Sequence, residues 1–215
     1  MDLRIVITTY NRPEMCLNLV NSLCDYDVTV YNDGGDDVNT DLYDVHQVYF
    51  PHSGKRFYWW MWNRIFQDLK DSDYVLFLPD DVTLHPDGES ISRLVNLFRA
   101  IDDPNKVCLN PLVDKRGHVC QWNTFDPVRT VDVWQTQWFD CCGLVNRAFF
   151  ETLSYNVAPV PQEHFLNNQS SGVGSQISKR LHAAGRTMYQ VHESLLQHGE
   201  HASVMHPEFR QENPL

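Results

Sequence analysis

Two adjacent carboxylates, Asp80 and Asp81, follow a run of apolar strand formers at positions 74–78. This pattern predicts a buried strand that ends where the two acidic side chains begin. Two neighbouring negative charges at the edge of a hydrophobic sheet repel each other, so they need a cation, hydrogen-bond donors or open water beside them. The pair is therefore a candidate site for a divalent cation or for the hydroxyl groups of a ligand, and a solvated turn is the alternative.

Polar residues also follow two other predicted strands. Tyr10 and Asn11 come at the end of "LRIVITTY", and Asp33 comes at the end of "YDVTVYND". Ligands of α/β proteins gather at the carboxyl ends of the sheet strands. Three polar clusters at three strand ends therefore predict a single binding site.

The elements that must position these residues alternate between strands and helices. Helical patterns begin at Pro13, run through "RFYWWMWNRIFQDLK" and cover residues 89–101, with strands between them. This order predicts an α/β fold whose central sheet is mostly parallel and is flanked by helices. Hairpins and loops are predicted over residues 111–140, and a long loop over residues 159–174. "SQISKRLHAAG" predicts a helix with Ser175 as its N-cap and Gly185 at its end.

Length and composition narrow the class of protein. The chain has 215 residues, which predicts one domain, and its net charge of −11 disfavours a general polyanion-binding surface. No apolar stretch reaches membrane-spanning length, and the first residues do not resemble a signal peptide. Six cysteines show no metal-site spacing, so we expect reduced thiols and a cytoplasmic location.

The same segments resemble a known family. "IVITTYNRPEMCLNLVNSL", "VYNDGG" and "YVLFLPDDV", in this order and spacing, are similar to the nucleotide-sugar half of GT-A-fold glycosyltransferases, most of all to family 2. "MWNRIFQDL", "CCGLVNRAFFETL" and "SQISKRLHAAGRTMYQV" extend the similarity. The resemblance implies a single Rossmann-like GT-A domain over residues 1–215. Its nucleotide-sugar half would cover residues 1–110, and its acceptor half and C-terminal tail residues 111–215.

The resemblance also implies a metal site. Asp81 matches the last position of the family's Asp-x-Asp motif and is the predicted ligand of Mn²⁺ or Mg²⁺, whereas Pro79 stands at the first position. Asp80 would face the ribose hydroxyls or a metal-bound water. His198 is the predicted second ligand because a histidine after the last core strand often completes this coordination. Three other histidines of the tail are alternatives: His192, His201 and His206.

A nucleotide-sugar donor is implied in the same way, and uridine diphosphate is its expected nucleotide. Asp33 would accept a hydrogen bond from the base or ribose. The side chains expected to flank the nucleotide or to line the same cleft are Thr8, Tyr10, Arg12 and Asn63.

The catalytic base departs from the family pattern. Val173 and Gly174 stand where inverting members carry an acidic pair, and neither side chain accepts a proton. Either another carboxylate serves as the base, with Asp140 ahead of Glu163, or the enzyme retains the configuration of the donor. The absence of the usual base favours retention.

These observations predict a metal-dependent glycosyltransferase that acts on a hydroxyl acceptor, without identifying the donor sugar or the oligomeric state. A hydroxymethylated base in viral DNA is one acceptor, because some small members of this fold modify DNA. Lys55, Arg56 and Arg64 are interleaved with aromatic residues, a pattern that suits phosphates beside stacked bases, although a buried helix with a basic end explains it too. A sugar nucleotidyltransferase and a non-catalytic sugar- or nucleotide-binding module are the alternatives.

Overall fold

The computed structural model describes residues 2–33, 38, 45–50, 54–85, 88–113, 132–161 and 171–199, without the side chains of residues 55 and 56. The predictions for Glu163, His201 and His206 lie outside the described residues, as do those for the side chains of Lys55 and Arg56. Within these ranges, the structure contains no helix of the length and apolarity that crossing a membrane requires.

Strands and helices alternate along the first half of the chain, as predicted. The elements of this half are β1 (Leu3–Thr9), α1 (Pro13–Asn21), β2 (Asp27–Asn32), β3 (His46–Tyr49), α2 (Gly54–Asp68), β4 (Tyr74–Pro79), β5 (Val82–Leu84), α3 (Ser90–Ala100) and β6 (Lys106–Asn110). The described part of the second half contains β7 (Val133–Thr136), β8 (Gly143–Asn146), α4 (Arg147–Thr152), α5 (Val173–Ala183), β9 (Thr187–Val191) and β10 (Leu196–His198).

Eight of these strands form one mixed sheet in the order β3-β2-β1-β4-β8-β6-β9-β7. The first four strands are parallel to one another, and so are β6 and β9. Strand β8 runs antiparallel to both β4 and β6, and β7 runs antiparallel to β9. Strands β5 and β10 form a separate two-stranded sheet. The predicted α/β fold with a large central sheet is confirmed.

Helices cover both faces of the large sheet because successive side chains of a strand point to opposite faces. On β1, Ile5 and Ile7 belong to the core that includes buried residues of α1 and α3. Val6 points the other way, into the core that includes buried residues of α2, α4 and α5. With both faces buried, the polar side chains that follow the strands lie along the edge of the sheet, where a ligand can reach them.

The start of α5 differs from the prediction. The helix begins at Val173 with Gly172 as its N-cap, and Ser175 lies inside it, so the prediction of Ser175 as the cap is wrong. Gly172 has a φ of 74°, and its carbonyl accepts the first helical hydrogen bond, from Gln176, at 3.0 Å. Val173 is completely buried, so tertiary packing extends the helix two residues before the serine. The predicted end is confirmed, since Gly185, with a φ of 69°, follows the C-cap residue Ala184.

Candidate active site

The register of three parallel strands brings their carboxyl ends together. Thr8 of β1 lies opposite Pro79 of β4, and the Asp80 N–H donates to the Thr8 carbonyl at 3.1 Å. On the other side of β1, the Asp33 N–H donates to the Thr9 carbonyl at 2.9 Å. The polar clusters that follow β1, β2 and β4 therefore meet at one edge of the sheet.

A cleft of about 210 Å³ opens at this edge. Eight of the nine predicted site residues line it: Thr8, Tyr10, Arg12, Asp33, Asp80, Asp81, Asp140 and His198. The remaining lining residues are Thr9, Gly54, Tyr58, Met61, Pro79, Leu112 and Cys142. The volume lies below the roughly 300–1,000 Å³ of a typical small-molecule pocket, so this cleft would enclose only part of a larger ligand.

The paired carboxylates are buried and are held by a guanidinium group. Asp80 and Asp81 are each only 7% exposed. Arg12 Nη1 lies 3.0 Å from Asp81 Oδ2 and 3.3 Å from Asp80 Oδ1, and the Thr9 hydroxyl donates to Asp80 Oδ2 at 2.7 Å. Arg12 thus supplies a positive charge to both carboxylates at once, which offsets part of their repulsion.

The backbone after β1 directs Arg12 towards the pair. Asn11 has a φ of 53°, in the left-handed region that only a few residue types adopt readily, and it turns the chain between β1 and α1.

Burial raises the pKa of Asp80 to about 6, although its bonds with Thr9 and Arg12 act in the opposite direction. The Asp80 carboxyl is therefore more readily protonated than an ordinary aspartate when no further cation is present.

Asp33 caps the helix that forms one wall of the cleft. Its Oδ2 accepts a hydrogen bond from the Gly54 N–H at 2.6 Å, at the first residue of α2. Gly54 has a φ of 56°, which glycine adopts without strain. The Asp33 carboxylate is thus held at the positive end of a helix dipole, where a negative charge is stabilised.

His198 reaches the paired carboxylates from the C-terminal part of the chain. It ends β10, which pairs antiparallel with β5 so that His198 lies opposite Val82. Its Nε2 lies 3.6 Å from Asp81 Oδ1. Among the described residues, no group of three or more His, Cys, Asp or Glu side chains is arranged to hold a metal ion.

Asp140 lies on a turn that buried polar groups anchor. The Trp138 carbonyl accepts a hydrogen bond from Asn110 Nδ2 at 2.8 Å, and the Phe139 N–H donates to the Ser178 hydroxyl at 2.9 Å. Cys141, the next residue, has a φ of 54°. Asp140 itself is exposed, while two hydrogen bonds tether the backbone of the two residues just before it, an arrangement that positions its carboxylate in the cleft.

The first turn of α5 has no space for a catalytic side chain. A Cβ atom built on Gly174 would lie 2.4 Å from the Phe139 carbonyl oxygen and 3.7 Å from Cys141 Sγ. Val173 is completely buried. Of the two positions at which the sequence resemblance leads one to expect an acidic pair, Gly174 is thus closed by the backbone that leads to Asp140, and Val173 is buried.

This packing predicts a measurable loss of stability in Gly174→Ala. Alanine favours a helix over glycine, but its methyl group would displace the Phe139 backbone, so we expect the free energy of unfolding to fall by about 1–3 kcal/mol. Urea denaturation measures this change. Ser175→Ala, one residue later in the same helical turn, is the control and should leave stability nearly unchanged. Equal stability of the Gly174→Ala and parent proteins would contradict the close contact.

Asn63 does not line the cleft. Its amide exchanges two hydrogen bonds with the backbone of Val157, with Nδ2 donating to the carbonyl at 2.9 Å and Oδ1 accepting from the N–H at 2.6 Å. These two bonds direct its amide towards the chain that follows α4, so the structure does not bring Asn63 together with the other predicted site residues.

Among the lining residues that were not predicted, Tyr58 and Cys142 carry ionisable groups. Tyr58 is part of the apolar stripe of α2 and reads as core from its helical spacing, yet it borders the cleft. Burial raises the pKa of the Tyr58 phenol and of the Cys142 thiol, so both groups stay protonated at neutral pH. Nothing in their local sequence distinguishes them from core residues.

Comparison with known proteins supports the fold. No family model and no curated protein matches the sequence. Among solved structures, the crystal structure of S. aureus TarS residues 1–349 is similar, with a TM-score of 0.61 and 12% identity over 93% of this chain. A protein from STIV also matches, with a TM-score of 0.43 and 13% identity, over 92% of this chain and 84% of that one. The crystal structure of a glycosyltransferase involved in the glycosylation of the major capsid of PBCV-1 matches with a TM-score of 0.36 and 15% identity, over 73% of this chain and 68% of that one.

The similarity to TarS shows the architecture of this chain. This chain spans 61% of the length of the TarS structure. The superposition covers nearly all of this chain, and the shared architecture is a GT-A-like fold. The predicted fold is therefore confirmed.

Proposed function

We propose that the protein is a glycosyltransferase that moves a sugar from a nucleoside-diphosphate donor to a hydroxyl group. The observation that carries the proposal is the convergence of Asp33, Asp80 and Asp81 at the carboxyl ends of β2 and β4 in a GT-A-like fold. In α/β sheets this edge is where nucleotides bind. Uridine diphosphate is the nucleotide that the sequence resemblance favours.

The charge of the cleft supports a requirement for a divalent cation. Its described lining carries four carboxylates, those of Asp33, Asp80, Asp81 and Asp140, and one guanidinium, that of Arg12. A nucleoside diphosphate brings further negative charge into the same space. Because like charges at close range disfavour binding, the donor needs a counter-charge beyond Arg12.

The residues fit an ion that the substrate helps to hold. Mg²⁺ and Mn²⁺ accept carboxylate oxygens, and Mg²⁺ is usually bound through one or two carboxylates together with substrate phosphates. Asp81 and His198 would contribute a carboxylate oxygen and an imidazole nitrogen from groups that already lie 3.6 Å apart. When bound, the ion would neutralise the charge that develops on the departing diphosphate.

The other side chains have separate roles in this proposal. Arg12, now bonded to both carboxylates, would exchange part of that contact for a diphosphate oxygen. Thr8, Tyr10 and Asp33 would line the nucleotide. Asp140 would accept the proton of the acceptor hydroxyl, because it is the exposed carboxylate of the cleft and its backbone is anchored.

Two other functions remain as alternatives. A sugar nucleotidyltransferase normally holds a triphosphate with a glycine-rich loop, but residues 8–14, which join β1 to α1, contain no glycine. A non-catalytic binding module would bind a nucleotide sugar without turning it over. Both predict that no sugar is transferred.

A transfer screen tests the proposal. The protein would be incubated with Mn²⁺, a panel of nucleotide sugars and three acceptor classes: polysaccharide, protein and hydroxymethylcytosine DNA. We expect mass spectrometry to detect a glycosylated product in one class. DNA is included because Phe57 and Trp60 are exposed on α2, where aromatic rings can stack on bases. Against DNA, the guanidinium of Arg64 that would contact a phosphate is already bound to Asp68 at 2.8 Å. The absence of any transferred sugar across the panel would count against transferase activity.

A further inference from the structure

The chain just after Asp140 has an uncommon backbone conformation. Cys141, the residue that follows, has a φ of 54°, in the left-handed region that side chains other than glycine rarely adopt. Such conformations persist where the surrounding structure fixes them, and they are concentrated at functional sites. The contacts of Cys141 therefore decide how the chain leaves the predicted base.

The thiol of Cys141 is held by hydrogen bonds from two helices. The Tyr58 hydroxyl of α2 and the Gly174 N–H of α5 both donate to Cys141 Sγ. The Gly174 N–H is one of those that the first turn of a helix leaves without a helical partner. A Cβ atom built on Gly174 would lie 3.7 Å from the same sulfur, so the start of α5 packs against Cys141. The side chain of Cys141 is thus fixed from both helices.

Tyr58 reaches this thiol from the floor of the cleft. Its ring packs edge-on against the completely buried ring of Trp62, with the ring centroids 6.1 Å apart. Its hydroxyl also forms a hydrogen bond with the side chain of Thr8 in β1. Tyr58, Thr8 and Asp140 all line the cleft. One phenol thus connects the end of a sheet strand with the residue that follows the predicted base.

We propose that Tyr58 and Cys141 are positioning residues for Asp140, and that the hydrogen bond between their side chains orients the base. The inference rests on the proposed function. Asn110 and Ser178 hold the two residues before Asp140, and the bond between Tyr58 and Cys141 holds the residue after it. With both sides fixed, the carboxylate keeps one place in the cleft, as proton transfer from an acceptor hydroxyl requires.

A direct bond between the Tyr58 hydroxyl and the donor sugar is the alternative role, since Tyr58 lines the cleft. The two roles predict different kinetics. Loss of a donor contact weakens donor binding whether or not Asp140 is present. Loss of a positioning bond leaves donor binding intact and lowers turnover only while Asp140 acts as the base.

The first test measures sugar transfer and donor affinity in variants of the two residues. We expect Tyr58→Phe and Cys141→Ala each to lower kcat about tenfold with unchanged donor affinity, because the base is then less often in the reactive position. Cys141→Ser, which keeps an acceptor for the phenol, should retain most of the activity. Tyr31→Phe is the matched control, since the Tyr31 hydroxyl bonds with Asp68 of α2 at 3.1 Å and neither residue lines the cleft.

The second test is a double-mutant cycle with Asp140→Asn. A residue that acts through the base loses its effect when the base is absent, so Tyr58→Phe should lower the rate in the parent protein and change it little in Asp140→Asn. Equal fold-losses in both backgrounds, or weaker donor binding by Tyr58→Phe, would overturn the positioning role and assign Tyr58 to the donor. Parental turnover in Asp140→Asn would overturn Asp140 as the base, and the inference with it.

Hydrogen exchange at the Phe139 amide tests the same bond without any transferase activity. This N–H donates to the Ser178 hydroxyl at 2.9 Å, one residue before Asp140. We expect its exchange to be faster in Tyr58→Phe and Cys141→Ala than in the parent, and unchanged in Tyr31→Phe. Unchanged exchange in all three variants would overturn the inference even in an active transferase. Faster exchange in a protein that transfers no sugar would instead overturn the proposed function and leave the bond as a structural one.

Discussion

Replacing Asp81 with alanine is expected to lower the rate of sugar transfer by about 10²- to 10³-fold. The carboxylate is the predicted protein oxygen ligand of the ion that neutralises the leaving diphosphate, and it also binds Arg12 at 3.0 Å. Its loss removes charge stabilisation at the leaving group. Steady-state kinetics at saturating Mn²⁺ measure the effect, and circular dichroism checks that the fold persists.

Asp73→Ala is the matched control for this variant. Asp73 directly precedes β4 and Asp81 lies just beyond its end, so the two carboxylates mark opposite ends of one strand. Asp73 bonds with Arg147 at 2.9 Å at an exposed position away from the cleft. We expect this variant to retain parental activity. Full activity of Asp81→Ala, or of the parent protein in EDTA, would refute the metal assignment.

Replacing Asp140 with asparagine is expected to lower turnover by about 10²- to 10⁴-fold while donor binding is kept. Asparagine has nearly the same shape as aspartate but cannot accept the proton of the acceptor hydroxyl. The first turn of α5 offers no other base, since a Cβ on Gly174 would lie 2.4 Å from the Phe139 carbonyl oxygen. With Asp140 as the base, the product has inverted anomeric configuration, in place of the retained configuration that the missing acidic pair favours, and NMR of the product determines which one is formed.

The comparison with Asp132→Asn separates a chemical role from a general effect of charge. Asp132 is an exposed carboxylate just before β7, and it lies 3.8 Å from His192. We expect its replacement to leave turnover and donor affinity unchanged. A product with retained configuration, or an inverted product together with an unimpaired Asp140→Asn enzyme, would contradict the assignment of Asp140 as the base.

The part of the site built from strand ends could be predicted from local sequence. An apolar run followed by a polar residue indicates where a buried strand stops, and this pattern located Asp33, Asp80 and Asp81 correctly. Parallel strands place their carboxyl ends at one edge, so the order of strands and helices also predicted that these residues meet. The cleft confirms that they do.

Contacts between distant segments could not be predicted in this way. Arg12 bonds with Asp80 and Asp81 across 68 and 69 residues, and Asn63 bonds with Val157 across 94 residues. Local periodicity gives the type of an element but not its partner, because tertiary packing decides which segments meet. The same reason explains why no local pattern indicated that β8 inserts antiparallel between β4 and β6.

The anchoring of Asp140 also depends on packing that the sequence does not display. The sequence pattern of β6 predicts only that Asn110 lies in a strand, and the pattern of α5 predicts only that Ser178 lies in a helix. Both are buried and direct their polar groups at the turn before Asp140. Hydrogen bonds from buried polar side chains show that a turn is held in place, but these bonds can be recognised only when the partners of the side chains are known.

The most direct test of the account is the release of nucleoside diphosphate from nucleotide sugars without an acceptor. In a transferase, water slowly replaces the acceptor hydroxyl, so we predict slow release of the diphosphate in Mn²⁺ and none in EDTA. Release of pyrophosphate from a nucleoside triphosphate and a sugar phosphate would indicate a nucleotidyltransferase. Tight binding of nucleotide sugars without any release would indicate a binding module, and either result would contradict the proposed function.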